Sequence, residues 1–265
     1  MSQTMFVLGI VAVGLMVLEF IVARVRGHQT YSKKATRSSL WNGLGSGIIA
    51  TIASTFVLYN LVQTHFGLLT FEVGAISTWI VAIFALDFVF YWAHRTVHRV
   101  PIFWAIHEVH HSSNEYNVAT GVRAPWLQPL MYAPFTIGLA LLGVPVEVMG
   151  TVYLGQQIWK LAAHTEMVGD LGPLEWFMAT PRRHALHHAR NREYQNCNFG
   201  GVFLIWDIMF GTFKARAEEP VFGLPEGELP LSPVADNFGP WERLMGQARQ
   251  AQGVKATVGT FLWRS

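Results

Sequence analysis

A single cysteine, Cys197, stands in the 265 residues of this chain. An intramolecular disulfide is therefore excluded, and a metal site built from thiolates is argued against. Cys197 reads as an ordinary thiol. Charge is scarce as well: Asp, Glu, Lys and Arg make up 14% of the chain, against roughly 25% in a soluble domain. The formal net charge of +2 is too small to imply a nucleic-acid partner. No G-x-G-x-x-G opens a βαβ unit, no C-x-x-C-H could attach haem, and the cysteines are too few for an iron–sulfur cluster. No Pro/Gly/Ser linker or internal repeat divides the sequence. What is abundant is apolar: 51% of residues are hydrophobic. The simplest reading is one membrane-embedded domain over residues 1–265, with cytosolic additions.

A crossing helix needs about 20 mostly apolar residues. Residues 4–23 qualify apart from Glu19, and with Arg24 and Arg26 following rather than preceding them they read as a retained anchor. Residues 40–62 and 74–93 qualify next. Residues 126–163 are too long for one crossing, and Gly143 and Pro145 punctuate them, so they read as a hairpin of two short helices. The expected fold is all-α and integral to the membrane, with four to five transmembrane helices and a cytosolic helical cap. Arg24, Arg26, Lys33, Lys34 and Arg37 crowd the first connection, whereas the N-terminus and residues 64–73 and 143–148 contain no Lys or Arg. The positive-inside rule then places residues 94–125, and everything after about 163, in the cytosol. Trp41, Trp92, Trp126 and Trp159 fall near span ends, as interfacial aromatics do. "GLGSG" at 43–47 lies inside a span and reads as small-residue packing, not a nucleotide loop.

Eleven histidines are present. His28 and His65 stand alone and read as surface residues. The other nine are organised: His94 and His98; His107, His110 and His111; His164; and His184, His187 and His188. Residues three and four apart share a helix face, so each group projects together. Imidazole clusters with few acidic neighbours suit Fe, Zn, Cu or Ni rather than Mg or Ca. Nine ligands exceed the shell of one ion, which implies two ions. "HEVHH" also satisfies H-E-x-x-H, with His107 and His111 as zinc ligands and Glu108 as general base. The alternative is thus an intramembrane zinc hydrolase, which leaves seven of the nine histidines unused. A transporter or sensor would place its ligands at mid-bilayer, whereas these gather at one boundary. A ferritin-like carboxylate site needs paired Glu-x-x-His motifs, and only Glu108 with His111 fits.

The boxes "HRTVH", "HEVHH" and "HALHH" resemble those of the fatty acid hydroxylase/sterol desaturase superfamily of membrane di-iron enzymes. "DFVFYWAHRTVH", "HHSSNEYNVATGVR", "HTE" and "TPRRHALHHARNREYQNCNFGGVFLIWDIMFGTF" extend the likeness over residues 80–215. It is most similar to the alkylglycerol monooxygenase and bacterial sterol-desaturase-like branch. Val168 stands where some members have a further histidine, which leaves water or an open place at one iron. The resemblance implies two Fe ions held by the nine histidines (zinc being a substitute in purified material), with O2 as co-substrate. The reaction implied is hydroxylation or desaturation of a bilayer lipid: a sterol, an alkylglycerol or a fatty acyl lipid. It implies electrons from an external ferredoxin, cytochrome or reductase, with tetrahydrobiopterin a further candidate. Ligand imidazoles usually donate their second N–H to an orienting acceptor. Asp87, on one face with Tyr91 and His94 inside the third span, is the candidate acceptor, or else a partner of Arg95. Glu108, Asn114 and Glu115 are weaker ones, and Glu166 and Asp207 read as solvated or paired with Arg. Residues 240–265, within a cytosolic tail over 216–265, read as an amphipathic helix lying on the membrane or covering the metal site.

Overall fold

A computed structural model describes residues 2–262 except 54, 226, 228 and 229. The expected second span includes residue 54, and the expected tail includes 226, 228, 229 and 263–265; these positions lie outside the described residues. The fold is all-helical. α1 (Ser2–Val25), α2 (Lys33–Ala53), α3 (Thr55–Phe66) and α4 (Ile76–Arg99) come first. Two short helices, α5 (Pro101–His111) and α6 (Val118–Val122), lead to the hairpin of α7 (Gln128–Leu142) and α8 (Val146–Ala162). α9 (Pro181–His187), α10 (Ile205–Met209), α11 (Pro233–Gln250) and α12 (Val254–Leu262) complete the order. Among the described residues the only β pairing is two isolated bridges, Met178 to Phe203 and Ala189 to Phe222.

Among the described residues, three helical stretches are long and apolar enough to cross a membrane: residues 6–25, 33–66 and 76–99. The second contains the span read from the sequence, whereas the first and third begin two residues later than expected and end beyond it. α7 and α8 have 15 and 17 residues, or about 22 and 26 Å of helix against a hydrocarbon core of about 30 Å. Beside the expected four to five spans, the described residues hold three helical stretches of spanning length and a short hairpin. Gly143 makes that hairpin's turn at φ 104, where its N–H closes on Leu139 and Ala140 and a side chain would strike the Leu69 carbonyl. Tyr59, Leu86, Leu139, Val144 and Val148 pack α3, α4, α7 and α8 together, and the Tyr59 hydroxyl donates to the Val144 carbonyl at 3.0 Å. "GLGSG" is indeed a packing surface: a β-carbon on Gly45 would fall within 2.5 Å of the Trp126 indole.

Two buried charges lock the bundle where the cap meets it. Glu19, the lone acid of α1, accepts from the Val118 N–H at 2.8 Å and from the hydroxyls of Tyr31 and Thr165. Arg123, fully buried, donates to Asp236 of α11 at 2.8 Å, to the Ser38 hydroxyl of α2 at 2.8 Å, and to the Val109 carbonyl of α5 at 2.8 Å. Asp236 also accepts from Ser38 and Asn42. α11 therefore belongs to the core, not to a free tail. Removing one partner of a buried ion pair costs about 3–5 kcal/mol because the other charge is stranded. Asp236→Ala should accordingly lower the melting temperature of detergent-solubilised protein by about 10 °C.

Candidate metal centre

α4 runs past its apolar stretch and carries His94 and His98 one turn apart on a buried face. Val100, extended, breaks the helix, and Pro101 starts α5 at a position where a missing N–H costs nothing. His107, His110 and His111 fill the last turns of α5. His164 follows the end of α8. Thr180 caps α9 through its hydroxyl, Pro181 begins it, and His184, His187 and His188 close it. All nine rings converge. His28 and His65 are exposed and stay outside.

They form two sets. His94, His98, His107, His111 and His187 each bring a ring nitrogen within 4.8 Å of the others, and so do His110, His164, His184 and His188. Each H-x-x-H-H box is thereby divided, where the sequence reading kept it together. On a helix, residues four apart diverge by only about 40°, whereas adjacent ones diverge by about 100°. First and last histidines of a box therefore stay together, and the middle one turns to the other set. No carboxylate joins either set among the described residues.

Protonation follows from the partners. His94 places Nδ1 2.9 Å from the Phe199 carbonyl, and His187 places its own 2.8 Å from that of Cys197. His110 and His164 reach the carbonyls of Arg123 (3.2 Å) and Lys160 (2.6 Å). A carbonyl can only accept, so these four Nδ1 atoms carry the hydrogen and the Nε2 lone pairs point inward. Burial above all, then the neighbouring His187, pushes His107 down to about 3. Burial takes His164 to about 3 and His187 to about 4, and it holds His110, His111, His184 and His188 well below the usual imidazole value. These seven rings are held neutral.

Nε2 of His164 lies 3.3 Å from Nε2 of His110, with both hydrogens committed elsewhere. It lies 3.1 Å from that of His188 and 3.2 Å from that of His184. In the other set the Nε2 atoms of His107 and His111 are 3.3 Å apart, and that of His187 is buried without a hydrogen-bond partner. Lone pairs facing each other at this range repel unless a cation lies between them. Two nitrogens about 2.1 Å from one ion are about 3.0–3.4 Å apart in octahedral or tetrahedral arrangements. The residues present fit metal.

The candidate acceptors have partners of their own. Asp87 accepts from the N–H groups of Val202 (2.8 Å) and Phe203 (3.1 Å), from the Trp206 indole (3.0 Å) and from Gln156 (3.1 Å). Neither a histidine nor Arg95 is among these partners; Arg95 donates to Tyr91. Glu108 is ion-paired with Arg243 of α11, Glu115 accepts from the N–H of Ser32, and Asn114 packs over Gly223. Asp207, read as an ordinary charge, is fully buried and accepts from Phe199 and Gly200 N–H at 2.8 Å and from Thr212 at 2.6 Å. Asp87 and Asp207 thus hold the loop whose carbonyls orient His94 and His187. Beyond the rings, a cavity of about 820 Å³ opens beneath α11 and α12, with His98, His111, His187, Trp104, Arg243 and Leu244 in its wall. The tail covers the centre.

The fatty acid hydroxylase family model matches residues 79–212. Human alkylglycerol monooxygenase is 32% identical over 232 residues, covering 85% of this chain and 51% of that protein. The Danio rerio alkylglycerol monooxygenase is 33% identical over 238 residues, covering 87% and 53%. The ornithine lipid hydroxylase OlsE of Rhizobium tropici is 33% identical over 128 residues, covering 48% and 39%. The chain spans about half the length of the alkylglycerol monooxygenases it matches. No solved structure matches.

Asp207→Asn turns an NH2 group toward amides that need an acceptor, a mismatch worth about 1–3 kcal/mol. Its melting temperature should fall, and bound metal measured by mass spectrometry should fall with it, because the Phe199 carbonyl loses its fixed position.

Proposed function

The chain belongs to the fatty acid hydroxylase family, and from that premise we propose a membrane-bound di-iron enzyme that uses O2 to hydroxylate or desaturate a bilayer lipid. The carrying observation is the pair of convergent imidazole sets. We assign one iron to His94, His98, His107, His111 and His187 and the other to His110, His164, His184 and His188. The second set has one ring fewer, in keeping with Val168 at the position where some relatives carry histidine. When bound, the two irons supply dioxygen activation and removal of hydrogen from an unactivated C–H bond. The chain's own part is to fix four of the tautomers through backbone carbonyls and to withhold carboxylates so that the positive charge stays uncompensated.

Substrate class follows from position and from the relatives' names. The centre lies at the end of α4, where a lipid entering between helices brings its chain within near-attack distance. Glycerol ethers are the first class to test, followed by amide-linked and fatty acyl lipids and sterols. The distribution of Lys and Arg supports a cytosolic centre and C-terminus with the N-terminus opposite. With no cofactor-binding motif in the chain, electrons come from an external ferredoxin, cytochrome or reductase, or from tetrahydrobiopterin. The cavity beneath α11 and α12 gives such a donor access from the aqueous side.

A zinc hydrolase using His107, His111 and Glu108 would need that glutamate free, whereas it is paired with Arg243. The protein should consume O2 only with lipid and reductant both present. His110→Ala and His187→Ala should each lower bound iron and reduce lipid oxidation by at least about 100-fold. Full activity in either variant, or O2-independent turnover that survives His184→Ala, would refute the assignment.

A further inference from the structure

The loop after α9 does not stay at the mouth of the bundle. Phe203 stacks on Phe84 with ring centroids 5.1 Å apart, Trp206 meets Phe88 at 5.0 Å, and Phe210 meets Trp92 at 4.9 Å. Phe84, Phe88 and Trp92 are successive turns of α4. At 1.5 Å of rise per residue, Phe84 lies about 12 Å deeper than Trp92 and about 22 Å deeper than Arg99. Trp and Arg are the residues that mark a membrane boundary. Residues 203–210 therefore start at hydrocarbon depth and climb back along the helix.

Irregular backbone at that depth requires every donor to be satisfied within the protein. Asp87 takes the N–H groups of Val202 and Phe203 and the Trp206 indole. The Leu204 N–H reaches the Phe177 carbonyl at 2.8 Å, and those of Ile208 and Phe210 close the single turn of α10. A carboxylate inside a span is costly, and this use accounts for its presence. The outward side is apolar: Ile205 is 42% exposed, Ile208 56% and Met209 62%. It continues the exposed strip of α4, where Ile80 is 50% and Phe84 43% exposed.

We propose that residues 203–210 form a re-entrant segment embedded in the bilayer, with Ile205, Ile208 and Met209 against lipid acyl chains. The occupant of this face is lipid because the face is continuous with the outer surface of a spanning helix and holds no charged group between Phe203 and Phe210 apart from the buried Asp207. This revises the expectation that everything after residue 163 stands in the cytosol. It holds whatever the metal centre catalyses.

Two experiments test it on the full chain in lipid nanodiscs. In the unsubstituted protein, a phospholipid with a photoactivatable carbene precursor near the middle of its acyl chain should leave adducts on Ile208 or Met209. Adducts on α1 and α4 with none on residues 203–210 would overturn the proposal. Separately, Ile205→Cys, Ile208→Cys and Met209→Cys carry a bimane label, with the unsubstituted protein and its buried Cys197 as background. Quenching by acyl-chain spin-labelled lipid should match that at Leu61→Cys and exceed aqueous iodide quenching several-fold. Dominant iodide quenching would place the segment in water, and protection from both quenchers would place a second copy or another protein on it. Either result would overturn the assignment.

Discussion

Nine imidazoles turned toward one buried volume are the constraint to which the rest of the molecule answers. His110 and His164 have both Nδ1 hydrogens committed to carbonyls, and their Nε2 lone pairs, 3.3 Å apart, repel in so buried a place. Such an arrangement persists only if the surrounding structure holds every ring in place and a cation relieves the repulsion. The absence of carboxylates from either set among the described residues sharpens this, since ions held there would keep nearly their whole charge.

The means of holding are layered. Backbone carbonyls fix four of the rings, and the loop bearing two of those carbonyls is itself held by Asp87 and Asp207 through backbone amides. On the opposite side, Arg123 offers its carbonyl to His110 while its guanidinium joins α2, α5 and α11. Glu19 ties the first helix to the start of α6 and to Thr165, the neighbour of His164. Charged groups that look misplaced in an apolar sequence turn out to orient the metal-facing rings at one or two removes, in keeping with how such outer partners act in metal sites generally.

The apolar runs and the histidine spacings were legible because both are local: a period along the chain is visible without knowing what the chain meets. The division of each box between two sets could have been read as well, from the 40° and 100° divergences that helix geometry dictates. The orienting acceptors could not. Every residue has a carbonyl, and nothing near His94 or His187 marks Phe199 or Cys197 as its partner. Asp87 and Asp207 illustrate the same limit. Their positions flagged a cost, but the amides that justify the Asp87 carboxylate lie more than a hundred residues away. Asp236, which holds the last helices to the core, offered no local signal at all.

The interleaving of the two sets bears on how the protein is made. α5 and α9 each feed both sets, while α4 serves only one and His164 only the other. Neither group is complete until the segment around residues 184–188 has emerged from the ribosome and docked, by which time the three helical stretches of spanning length are already synthesised. Metal loading is thereby reserved for a chain in which those stretches are in place, and a product truncated before residue 184 completes neither group.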